Sequence, residues 1–97
     1  MHVRVTAVQI QPGRVDEAIR LYQESVVPAA KQQRGFRSTM LVTDRASGKG
    51  MSFTVWETEA DLQASEVSGF YQEQVAKFAP LLTAPPAREV YELSVSA

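Results

Sequence analysis

The sequence predicts one α+β domain over residues 1–97, of order β-α-β-β-α-β, with an antiparallel sheet, both helices on one face, and a homodimer as the working form. Three observations predict it. Stretches alternating apolar and polar residues are interleaved with stretches whose apolar residues recur every three or four positions. Each helical stretch connects two strands, and right-handed crossovers place both helices on the same side of the sheet. The strands also carry apolar residues on both parities, so the face away from the helices is too apolar to meet water. Two such sheets packed across a twofold axis bury it.

From Val3 to Ile10 every residue suits a strand, with Val3, Val5 and Ala7 on one parity and Val8 and Ile10 on the other. Pro12-Gly13 ends it. Val15, Ala18, Ile19, Tyr22 and Val26 then form the stripe of an amphipathic helix, with Asp16 and Glu17 in the first turn where the helix dipole favours them. Pro28 lacks an N–H and crowds the preceding turn, so it is expected to end or kink this helix. Phe36 to Thr43 reads as the second strand and Met51 to Glu57 as the third, joined through the turn formers Asp44 to Gly50. Thr58-Glu59-Ala60-Asp61 has the capping-box pattern, so the next helix starts at about Glu59, and Ser68 before Gly69 is a second cap inside that region. Tyr71, Val75, Phe78 and Leu82 share one helical face until Pro80 and Pro85-Pro86 stop it. Arg88 to Val95 alternates as the last strand.

Ten Lys and Arg against eleven Asp and Glu leave a net charge of -1, and neither sign gathers into a run. Nucleic acid and anionic membrane are not expected partners. The N-terminal residues lack the pattern of a signal peptide, no apolar run approaches the ~20 residues that span a bilayer, and the expected compartment is the cytoplasm. There is no Cys and a single His, His2. A glycine-rich phosphate loop, a metal-spaced His or Asp cluster and a hydroxyl-His-acid set are all missing, so hydrolase, dehydrogenase and kinase readings have no residues to use.

The element order, the segment Phe53-Thr54-Val55-Trp56-Glu57-Thr58 ahead of a capped helix, and the turn Ser68-Gly69-Phe70-Tyr71 together resemble the antibiotic biosynthesis monooxygenase family over nearly the whole chain. The resemblance implies a ferredoxin-like domain that pairs into a dimeric α+β barrel, with a small-molecule cleft between sheet and helices. It also implies oxygenation without metal or organic cofactor, in which a deprotonated phenol or quinol reacts directly with oxygen. Polyketide-modifying members use a Trp, an Asn four residues before it and a Tyr six residues after it. Here Trp56 matches, whereas Ser52 and Leu62 stand at the other two positions, so one of the three is kept. In the haem-degrading branch the Asn, Trp and iron-ligating His correspond to Thr6, Ser65 and Val75. Valine has no lone pair for iron, and haem is not expected.

Trp56 thus has two readings, a catalytic wall of the cleft or a filler between sheet and helix. Tyr22 and Tyr71 lie on inward stripes, where each hydroxyl needs a partner or a pocket. With Thr6, Ser52 and Arg37 they form the expected ligand-binding set. Arg4 and Arg37 both interrupt apolar strands; a guanidinium there can hold a phenolate or carboxylate, or can sit at a sheet edge or dimer rim. The expected function is cofactor-independent monooxygenation of a small aromatic or quinone-type compound. The alternative is a non-catalytic dimeric module of the same fold that binds or interacts, which predicts a closed or wholly apolar cleft.

Overall fold

The first strand, β1 (His2–Gln9), runs through the interior of the sheet, as its apolar residues on both parities require. The computed structural model describes residues 1–97. β1 is followed by α1 (Val15–Leu21), a π-helical turn (Tyr22–Val26) and α2 (Val27–Lys31), then by β2 (Phe36–Thr43) and β3 (Lys49–Trp56). The remaining elements are α3 (Glu59–Val67), α4 (Phe70–Phe78), a 3-10 turn (Ala79–Leu81) and β4 (Ala87–Glu92). The sheet order is β2-β3-β1-β4, and every pairing is antiparallel. This is the ferredoxin-like order the sequence predicts.

Pro28 does not end the first helix, which continues to Lys31. In an α-helical ladder its ring would collide with the carbonyl of Glu24. The chain instead widens by one residue: the Val27 N–H donates to the Tyr22 carbonyl, five residues back, and Pro28 enters the first turn of α2, where a missing N–H costs nothing.

The second helical region divides where Ser68 and Gly69 stand. Thr58 caps α3, its Oγ1 accepting the Asp61 N–H at 3.0 Å and donating to the Asp61 carboxylate at 2.9 Å. Gly69 adopts φ +90, a left-handed conformation open to glycine at little cost, and starts α4 in a new direction, while Ser68 Oγ accepts the Phe70 N–H at 3.3 Å.

The β2–β3 hairpin closes as expected. Asp44 accepts from Ser47 Oγ at 2.7 Å and from the Ala46 N–H at 3.3 Å, and these bonds hold its carboxyl below the usual aspartate range. Gly48 is required there: φ is +77, and a Cβ would lie 2.4 Å from the Ile10 carbonyl oxygen. The last strand is shorter than the sequence predicts. β4 pairs with β1 from Ala87 to Glu92, and beyond it the Leu93 N–H donates to the Met1 carbonyl. The best-packed apolar cluster, Ile10, Val15, Ala18 and Leu81, lies at the end of the sheet where β1 hands over to α1.

Candidate functional site

A cavity of about 80 Å³, room for several waters, lies between the sheet and the helices. Its floor comes from one parity of the strands. Antiparallel register sets Arg4 opposite Thr54 and Thr6 opposite Ser52, so four polar side chains meet on the side the helices cover. Thr39 of β2 joins them. The roof comes from two helical faces, including Tyr22 and Val26 on one and Tyr71, Val75 and Phe78 on the other.

The π turn shapes this roof. Ala18, Tyr22, Val26 and Ala30 are spaced by four and all line the cavity. In a straight α-helix each step of four overshoots a full turn by about 40°, which carries such a series off one face. The wider π turn between Tyr22 and Val26 opposes that drift.

Two polar groups occupy the cavity wall. In the first, Tyr22 Oη is hydrogen-bonded to Thr39 Oγ1 and, at 2.8 Å, to Ser52 Oγ, and Thr39 Oγ1 lies 3.0 Å from Thr54 Oγ1. In the second, Thr6 Oγ1 lies 3.1 Å from Tyr71 Oη, and the Arg4 guanidinium sits 4.2 Å from the centroid of the Tyr71 ring. Arg4 is only 4% exposed. Its Nη1 donates to Ser65 Oγ at 2.8 Å and reaches Glu66 Oε2 at 3.5 Å, and the same Glu66 oxygen accepts from Arg88 at 2.8 Å. Burial pushes the Arg4 pKa down from its ordinary value, and the neighbouring Glu66 opposes that shift.

Of the residues expected from sequence, Thr6, Tyr22, Ser52 and Tyr71 all line this cavity. Trp56 and Arg37 do not. Trp56 is 0% exposed, packs edge-to-face on Phe36 at 6.2 Å, and lies 5.6 Å from the Arg4 guanidinium; its Nε1 has no hydrogen-bond partner. Arg37 falls at the irregularity between Phe36 and Ser38, is exposed, pairs with Glu57 at 3.2 Å, and borders the opposite sheet face beside Met40 and Phe53. His2 pairs with Glu59 at 3.7 Å, away from the cavity.

Sequence reasoning passed over Thr39, Thr54 and Gln74 as cavity residues. Thr54 was within reach, because it shares the parity of Ser52 and Trp56. Gln74 was not, since a polar residue on a helix gives no sign of facing inward.

The sequence model described as antibiotic biosynthesis monooxygenase matches residues 1–77. Among curated proteins, the uncharacterized Rv2557 of Mycobacterium tuberculosis is 36% identical over 56 residues, 58% of this chain. That match spans only 25% of the relative's length. Among solved structures, Rv0793 of M. tuberculosis superposes with TM-score 0.73 at 23% identity, covering 100% of this chain and 99% of that one. The monooxygenase from the gene ActVA-Orf6 of Streptomyces coelicolor, in complex with nanaomycin D, superposes with TM-score 0.74 at 18% identity, covering 99% and 89%. At such identities these structures establish the fold alone. The sequence model, however, runs through β1, β2, β3 and α3 and into α4, the elements that floor and roof the cavity, and the chain accordingly belongs to the antibiotic biosynthesis monooxygenase family.

Proposed function

We propose that this chain is a cofactor-independent monooxygenase that takes a small aromatic or quinol compound into the cavity between sheet and helices, acting in the cytoplasm as a homodimer of single-domain subunits. The observation that carries the reading is the convergence of Thr6, Tyr22, Ser52 and Tyr71 on one cavity whose remaining wall is largely apolar. Hydroxyls that both donate and accept can hold a phenol and its phenolate in one place. The apolar wall takes the ring faces. Family membership supports the chemistry, and a structural neighbour from Streptomyces nogalater, SnoaB, is described as a cofactor-independent oxygenase.

In the reaction a phenol loses its proton, and the electron-rich ring reduces molecular oxygen. One oxygen atom enters the ring as a quinone carbonyl and the other leaves as water, so no external reductant is needed. The cavity residues orient the phenolate and keep bulk water from the ring. The homodimer reading rests on the sheet face turned away from the helices, where Met40 is 55% and Met51 41% exposed beside Val42 and Tyr91.

A second reading, binding without oxidation, is favoured by the position of Trp56, which stands off the cavity wall, and by Leu62, which offers no hydroxyl. Oxygen uptake with a panel of dihydroxy-aromatics separates the two. Uptake with at least one quinol, reduced in Trp56→Phe, is the expected result. No uptake by the wild type despite measurable binding assigns the chain to the second reading, and equal uptake by Trp56→Phe removes Trp56 from the site.

A further inference from the structure

We propose that Arg4 is an anion anchor, selecting aromatic ligands that carry a carboxylate or an ionised phenolic oxygen at one end and a hydroxyl at the other. The proposal deepens the reading above and rests on its cavity. A buried guanidinium is costly unless its charge and its donors are used. Arg4 is 4% exposed, lines the cavity, and commits only Nη1 to protein acceptors, Ser65 Oγ and Glu66. Its Nε and Nη2 N–H groups have no protein acceptor. Those two nitrogens form the edge of the guanidinium that binds a carboxylate through paired hydrogen bonds.

The surroundings hold that edge still. The Tyr71 ring lies 4.2 Å from the guanidinium carbon and the Trp56 ring 5.6 Å from it. Trp56 thereby acts on the cavity through Arg4, as a positioning residue, although it is not part of the wall. Charge also favours an anion. Glu66 is shared between Arg4 and Arg88, at 3.5 and 2.8 Å, so one carboxylate faces two guanidinium groups and the cluster keeps a net positive charge.

Arg4, Thr6, Ser52 and Tyr22 line the same cavity, Thr6 pairing across the sheet with Ser52, which hydrogen-bonds to Tyr22. A ring held between them turns its anionic group to Arg4 and its hydroxyl to Ser52 and Tyr22, the arrangement of a para-hydroxy acid.

Calorimetric titration of the full chain with para-hydroxybenzoate and with its methyl ester tests this at neutral pH. The wild type should bind the acid at least about tenfold more tightly than the ester, the scale of a paired charged hydrogen bond. Arg4→Met should remove the preference, and Arg4→Lys should keep part of it. Glu66→Gln removes the competing charge without changing size and should tighten acid binding by about threefold to tenfold, with the ester unchanged. That variant and the wild-type preference decide the matter even where Arg4→Met does not fold. Ester binding equal to acid binding in the wild type overturns the anchor and leaves the cavity reading standing. Failure of both compounds to bind overturns the anchor and the cavity reading together.

Discussion

The two faces of the sheet are built from the same strands, yet each inverts the usual relation between polarity and exposure. On the face the helices cover stand Arg4, Thr6, Thr39, Ser52 and Thr54, and three of these, Arg4, Thr6 and Thr54, are buried. On the face they leave open stand Val5, Met40, Val42, Met51, Phe53 and Val55, and the first and last strands of the sheet keep Val42 and Tyr91 exposed. A polar residue under a helical layer costs stability unless it is bonded, and an exposed apolar sheet face invites association. The covered face gathers bonded polar side chains around a cavity and the open face keeps apolar side chains in solvent, and the two departures support the proposed ligand site and the proposed dimer contact respectively.

Three experiments can break or sharpen that contrast. The largest effect belongs to the covered face: Trp56→Ala removes a side chain that is 0% exposed and should cost about 3–5 kcal/mol in chemical denaturation. Trp56→Phe should cost much less, because the lost indole N–H makes no hydrogen bond. Equal costs for the two would mean that ring packing is not what Trp56 supplies.

The open face comes next. The wild type should sediment as a dimer at micromolar concentration, and Met51→Lys, which puts an ammonium in the proposed sheet-to-sheet contact, should weaken the dimer by about a hundredfold. Because Met51 is 41% exposed in the single chain, the variant should keep its far-ultraviolet circular dichroism. A monomeric wild type at that concentration would overturn the dimer. The smallest effect returns to the covered face. Tyr22→Phe deletes the hydroxyl that joins Thr39 to Ser52 and should cost about 1 kcal/mol of stability, with a larger loss in ligand affinity than in folding. A loss confined to stability would show that the hydroxyl serves packing alone.

Much of the fold was legible because its signals are local. Runs of strand-forming residues named β1 and β2, alternation named β3, and the Asp44 to Gly50 turn formers joined β2 to β3. Thr58 capped α3 as its spacing to Asp61 predicts. Of the two outcomes expected at Pro28, an end or a kink, the end did not occur, because its cost depends on how the turn before it is wound and a π turn removes the clash that an α turn would impose. The cavity was legible in part for the same reason. Tyr22 and Tyr71 follow from helical stripes, Thr6 and Ser52 from the positions the family resemblance matches, and all four reach its wall.

Arg4 and Arg37 mark the boundary between sequence and structure. Both are arginines in apolar strands, and sequence reasoning placed Arg37 in the ligand-binding set and left Arg4 out of it. A local irregularity in β2 turns Arg37 outward to Glu57, while regular β1 register carries Arg4 under the helices to Ser65 and Glu66, more than sixty residues away in sequence. Periodicity, caps and turn residues determined by themselves which segments are strands and helices, because those preferences act over a few residues. Only the tertiary structure decided which parity is covered, which arginine is buried and where Trp56 stands. Those outcomes depend on partners far along the chain, and a shift of one residue in register reverses every one of them.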